Sequence, residues 1–106
     1  ETIGDEAFKE CSHLEEIIIP SSVTSIGDSC FNECRSLTEM IIPSSVISIG
    51  QSVFLYCSAL NKITISSAIT SIPKNCFYKC SSLEEITIPS SVTSICDYAF
   101  RDCTAL

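Results

Sequence analysis

Basic side chains are scarce in this 106-residue chain: six Lys and Arg stand against thirteen Asp and Glu, for a formal charge of −7. The six are scattered and make no phosphate-binding patch, so the balance argues against a nucleic-acid groove or an anionic membrane surface as partner. Long apolar runs are missing as well. Stretches such as Ile17-Ile18-Ile19 and Met40-Ile41-Ile42 fall far short of the roughly 20 residues that a bilayer span requires. The opening Glu1-Thr2-Ile3-Gly4-Asp5 has neither the basic start nor the apolar stretch of a targeting signal. There is one histidine, and none of the three glycines lies in a phosphate-cradling loop. What the chain does have is 45% apolar residues with only 18% charged, which is material for a packed core and too apolar for disorder.

That apolar material is periodic. Aligned on itself at a shift of 23, the sequence shows Phe8, Phe31, Phe54, Phe77 and Phe100 in one series and Cys11, Cys34, Cys57, Cys80 and Cys103 in a second. Leu14, Leu37, Leu60, Leu83 and Leu106 form a third, and Ile, Val and Ser series run beside them with no insertion anywhere. A fixed period of this length marks each copy as one turn of a solenoid, because a single copy cannot bury its own apolar set and must stack on its neighbours. Within a copy, Leu14-x-x-Ile17-x-Ile19 reads as a strand and Pro20-Ser21-Ser22 as a corner. Val23-Thr24-Ser25-Ile26 reads as a second short strand closed by Gly27. Asp28 is then placed to cap a helical turn over 29–34 that buries Cys30, Phe31 and Cys34.

The run Leu14-x-x-Ile17-x-Ile19-Pro20-Ser21-Ser22-Val23-Thr24-Ser25-Ile26-Gly27-Asp28-x-x-Phe31-x-x-Cys34-x-x-Leu37 resembles the repeat of BspA-like leucine-rich repeat proteins, and the resemblance covers the whole chain. It implies a right-handed solenoid of the β-rich α/β class with parallel strands on the concave face. With the residue pattern, that gives about four and a half coils of 23 residues and short helical turns on the convex side. Residues 1–106 then form a single solenoid, expected to be a stretch of a longer array because the chain starts and stops inside a coil. The third copy departs from the pattern, with Ser66 for Pro, Ala68 for Ser and Pro73-Lys74 for Gly-Asp, so its corners are expected to differ.

Seven of the eight cysteines fall on two repeat positions and read as small buried hydrophobes with reduced thiols. Cys96 is the outlier, standing where Gly4, Gly27 and Gly50 stand, and is expected to be exposed. The pairs Cys30/Cys34 and Cys76/Cys80 lie two coils apart, about 10 Å, too far for one zinc with bonds of about 2.3 Å. No metal or other cofactor is expected. His13 takes a position held elsewhere by Ser36, Ala59, Ser82 and Ala105, so it reads as a solvated loop residue and not as the base of a Cys11 nucleophile. Ser21, Ser44, Ser67 and Ser90 recur once per coil and mark a turn, so no catalytic residue is assigned and no enzyme is expected.

Specificity is left to the positions that change from coil to coil. On the concave strands the outward rows read Glu16, Glu39, Lys62, Glu85 and Ile18, Ile41, Thr64, Thr87, with Glu15, Thr38, Asn61 and Glu84 beside them. This net-negative stripe favours a basic partner. On the opposite face Leu55, Tyr56 and Tyr78 interrupt a polar row and form a second candidate anchor. The family resemblance implies a protein-binding or adhesion module, at a cell surface or secreted, with an extracellular-matrix or cell-surface protein as partner. A structural spacer or intracellular scaffold is the alternative. Eight apparently free thiols and the lack of an N-glycosylation sequon lean toward a reducing, cytoplasmic compartment. Apolar rungs bared at the two ends also favour end-to-end self-association.

Overall fold

Constant spacing is what turns this sequence into a stack. The computed structural model describes residues 1–106 as a parallel β-solenoid of about four turns. The short strands are β1 (Thr2–Ile3), β2 (Ser25–Ile26), β3 (Glu39–Ile41), β4 (Ser48–Ile49), β5 (Lys62–Thr64), β6 (Ser71–Ile72), β7 (Glu85–Thr87) and β8 (Ser94–Ile95). One sheet runs β3-β5-β7 and forms the concave face. The second short strand of each coil builds β1-β2-β4, with β6-β8 as a separate pair. All pairings are parallel and in register with the repeat, Met40 against Ile63 against Ile86 and Ser25 against Ser48.

Inside the stack the Phe rings form a continuous ladder. Phe8, Phe31, Phe54, Phe77 and Phe100 lie 5.2–5.7 Å apart, centroid to centroid, and within 11° of parallel. Phe31, Phe54 and Phe77 are fully buried with Leu37, Leu60 and Leu83. The cysteine series is buried beside them for a further reason. The thiols of Cys34, Cys57, Cys80 and Cys103 each donate to the carbonyl of the Phe one coil earlier, at 3.0–3.1 Å. Such a position needs a residue small and apolar enough for the core that still offers a weak donor, which Cys does and Ala does not.

The segment expected as a helical turn forms no helix. In each coil two non-glycine residues take positive φ, Ser29 and Glu33 in the second and Ser52 and Tyr56 in the third. Around these two residues successive amides point different ways. Ser29, Phe31 and Glu33 donate to Gln51, Val53 and Leu55 of the next coil at 2.8–3.0 Å, while Asn32 and Cys34 donate back three residues within the turn. Only 6 of 52 backbone hydrogen bonds lie within strands, so turns and convex inter-coil bonds hold the coil together. Asp28 likewise does not cap its own coil: its Oδ1 accepts from the Gln51 N–H at 3.0 Å, as Asp5 Oδ1 accepts from Asp28 N–H at 2.8 Å.

These carboxylates explain the glycines. A Cβ at Gly27 would collide with the Asp5 side chain and lie 2.6 Å from its backbone nitrogen, and Gly50 meets Asp28 in the same way. Where the preceding coil has Gln51 or Lys74 in place of Asp, the chain carries Pro73 and Cys96 in place of Gly. Pro73 has a cost of its own. Gly27, Gly50 and Cys96 each donate to Ile3, Ile26 and Ile72 at 2.8–2.9 Å, but Pro73 has no N–H, and the ladder breaks between β4 and β6. The other altered corner keeps its shape, since Ile69 N–H still reaches Ser66 C=O at 3.2 Å and the Ser66 hydroxyl donates to Val46 C=O.

Two stability predictions follow from this packing. Phe54→Ala is expected to lower unfolding free energy by about 3–5 kcal/mol, against no more than about 0.5 kcal/mol for Lys62→Ala, by chemical denaturation. Gly50→Ala is expected to cost about 1–3 kcal/mol through the clash with Asp28, whereas Gly4→Ala, with open space around it, should be close to neutral.

Candidate functional site

Strand alternation sends every second side chain of the concave sheet outward, and burial follows that pattern. Glu39 and Ile41 are exposed around buried Met40, and Lys62 and Thr64 around buried Ile63. Ile18 is 85% exposed and Ile41 67%, high values for large apolar side chains. They stand next to Glu16 and Glu39 and together line a cavity of about 320 Å³. Glu15, Glu16, Thr38 and Glu39 line a smaller polar hollow beside it.

The outward row is not uniform along the axis. Lys62 Nζ lies 3.9 Å from Glu85 Oε2 in the register neighbour, so these two offset each other, Glu84 is the one unpaired carboxylate left in the third and fourth coils, and Thr64 and Thr87 stand beside the pair. Glu16 and Glu39 have no ion-pair partner. The acidic character counted over the whole row is concentrated in the first two coils, where the bared isoleucines also lie. Of the candidate concave residues, Glu16, Ile18, Glu39 and Ile41 come together; Lys62 and Glu85 form a separate, self-neutralised pair.

On the convex side Tyr56 and Tyr78 meet edge-on at 6.1 Å, and Tyr78 meets Tyr98 at 6.5 Å. Leu55 sits with them around an open hollow that also touches Lys74. Cations cover the rings: Arg35 is 5.7 Å and Lys79 5.3 Å from Tyr56, and Arg101 is 5.0 Å from Tyr98. Tyr98, Arg35, Lys79 and Arg101 were not among the residues expected from the sequence. Tyr98 precedes its Phe whereas Tyr56 and Tyr78 follow theirs, so a reading along one row misses a contact that runs diagonally between coils.

The thiols are divided by the same packing. Cys30, Cys34, Cys57, Cys76 and Cys80 are buried, Cys11 and Cys103 half-buried, Cys96 exposed, and none is in a disulfide. Burial pushes Cys30 and Cys34 up to about 11 and Cys57 to about 12, from an ordinary value of 9.0. Burial raises Cys76, Cys80 and Cys103 as well. A thiol held protonated is a poor nucleophile, and His13 is exposed on a turn.

In-register Phe, Leu and Cys ladders under a parallel sheet with one face to solvent define a leucine-rich repeat solenoid. Residues 1–106 match the BspA type leucine rich repeat region, and the chain belongs to that family. Among solved structures it is similar to a leucine rich repeat protein of T. pallidum, with a TM-score of 0.95 and 30% identity over 99% of this chain and 49% of that one. It is also similar to a leucine-rich repeat protein of Bacteroides ovatus, at TM-score 0.77 and 30% identity over 99% of this chain and 33% of that one. A leucine rich cell surface protein of Faecalibacterium prausnitzii matches at TM-score 0.64 and 38% identity, over 83% of this chain and 29% of that one. The chain thus spans about half or less of the proteins it resembles. No curated protein matches it.

Thiol chemistry tests the packing directly. In native buffer a bulky thiol reagent should react rapidly with Cys96 alone or with one further group, and five or more fast thiols would contradict the ladder. Because the fold raises these thiols, it holds more protons than the unfolded chain once pH exceeds about 9, so stability falls with rising pH. The stabilisation is complete below pH 9 and is lost through pH 11 and beyond, which a denaturation series across that range would show.

Proposed function

We propose that this chain is a non-enzymatic protein-binding module of a surface or secreted protein, acting in adhesion through the first two coils of its concave face. The observation that carries the proposal is the juxtaposition of bared Ile18 and Ile41 with Glu16 and Glu39, carboxylates free of ion pairs. Exposed apolar side chains rimmed by charge are the ordinary composition of an interface. The negative rim selects a basic partner and repels an acidic one, consistent with an extracellular-matrix or cell-surface protein. Family membership supports the binding role, and the likeness to a protein named as a cell surface protein supports the location. No helix is long and apolar enough to cross a membrane. The tyrosine cluster is the weaker anchor, because its rings already face cations of the same chain.

Capture from cell-surface or matrix extract, quantified at two ionic strengths, tests this reading. Glu16→Lys combined with Glu39→Lys should weaken binding about tenfold and remove its salt dependence. Glu85→Lys, which breaks an existing pair and leaves the apolar patch intact, should have a smaller effect. Unchanged binding in the double variant would move the site off this face.

A further inference from the structure

The six basic residues are scattered along the sequence, but the fold sorts them. Three are neutralised by a carboxylate of the same chain: Lys9 by Glu6, Arg35 by Glu33 and Lys62 by Glu85. The other three, Lys74, Lys79 and Arg101, have no ion-pair partner, and all three border the convex cluster of Tyr56, Tyr78 and Tyr98. Lys74 lines its open hollow of about 380 Å³. Lys79 Nζ lies 5.3 Å from the Tyr56 ring and 5.8 Å from the Tyr78 ring, and the Arg101 guanidinium 5.0 Å from the Tyr98 ring. In a chain of net charge −7, the uncompensated positive charge is thus gathered on one surface across three successive coils.

A cation resting on a ring keeps its capacity for an anion. The ring meets one side of the ammonium or guanidinium, and the remaining N–H donors, in the plane of the fork for Arg, stay open. The contact also restricts a long side chain before any ligand arrives, so less entropy is lost on binding. Between these donors lie Leu55 and the ring of Tyr78, and no carboxylate lines the hollow. At physiological ionic strength the rest of the chain's charge is screened beyond about 8 Å, so an arriving anion meets the local cations.

The matching ligand carries anionic groups around a flat face of C–H bonds, which the negative face of an aromatic ring attracts. Backbone pairing adds nothing here. The N–H groups of Ser52, Tyr56, Asn75 and Lys79 are all bonded to the next coil at 2.8–3.2 Å, so an acidic peptide would find no strand edge. Asp97 and Asp102 stand one period after Lys74 and Lys79 and keep the positive charges apart. That spacing suits charges carried on separate sugars better than the closely spaced phosphates of a nucleic acid.

We propose that this convex hollow binds an acidic polysaccharide, with a sugar ring on Leu55 and Tyr78 and its carboxylate or sulfate groups on Lys74, Lys79 and Arg101. The site is separate from the concave face and stands whether or not that face binds a protein.

The chain has three Tyr and no Trp, and all three tyrosines belong to this cluster, so intrinsic tyrosine emission reports on this site. The test titrates the protein with alginate and heparin oligosaccharides, which carry carboxylate and sulfate, and with neutral dextran oligosaccharides and polyglutamate. At least one acidic saccharide should give a saturable change in emission that weakens as salt is raised, and dextran should give none. Lys79→Gln combined with Arg101→Gln should lower the affinity about tenfold or more without changing the number of fast-reacting thiols, which reports an intact stack. Glu16→Gln with Glu39→Gln, on the concave face, should leave it unchanged. An equal or stronger response to polyglutamate would overturn the saccharide assignment and make this face a docking site for an acidic protein segment. No saturable response to either acidic saccharide, or one that the Lys79 and Arg101 double variant retains, would overturn the site itself.

Discussion

Everything in this molecule depends on coils of equal length. Backbone bonds join residues 22 to 24 positions apart, such as Glu6 to Asp28 and Gly27 to Ile3, and thiol bonds span 26. A single inserted residue would put Phe beside a polar neighbour and detach the amides of a whole turn. Phe, Leu and Cys rungs bury apolar surface only against a neighbour in register, so no coil is stable alone and stability rises with each added interface. The positive φ values on the convex side follow from the same demand. Two residues per coil, four positions apart, adopt a conformation that costs a non-glycine residue free energy, in a turn that aims alternate amides at the next coil.

Residue choice in one coil therefore answers to the coil before it. Gly27 and Gly50 are required by no φ of their own, since no glycine here is in the left-handed region; they are required by the carboxylates of Asp5 and Asp28. Where Asp is replaced, the glycine is replaced one coil later. Pro73 uses that freedom, and its missing N–H separates β4 from β6, opening the hollow that reaches Cys96. The broken ladder goes with Gln51, one coil before Pro73, and the exposed thiol with Lys74, one coil before Cys96: two successive replacements in the carboxylate row.

The solenoid, its inward residues and the exposure of Cys96 were legible in the sequence because all of them repeat. A helical turn was expected over 29–34 because Cys30, Phe31 and Cys34 have a spacing that helix and inter-coil turn share. The distinction lies in which carbonyl each amide reaches, and those carbonyls belong to the next coil. Asp28 has the spacing of a cap for its own coil in the same way, but its carboxylate accepts from Gln51 of the next coil. At the candidate site the outward row was legible, but its division was not. Summing charge along the row treats Lys62 and Glu85 as additive, whereas registration places them side by side and leaves Glu16 and Glu39 uncompensated.

That division shows how a repetitive scaffold acquires a direction. Inward positions are constrained by both neighbours and carry no information about a partner. Outward positions are free, so a few differences between coils suffice to place bared isoleucines and unpaired carboxylates at one end and Thr64 and Thr87 beside an ion pair at the other. Apolar and acidic side chains thus peak in the same two coils, where Ile18 and Ile41 stand beside Glu16 and Glu39. Either alone is common on repeat proteins, and their coincidence on one stretch of the sheet is the observation on which the proposed binding role rests.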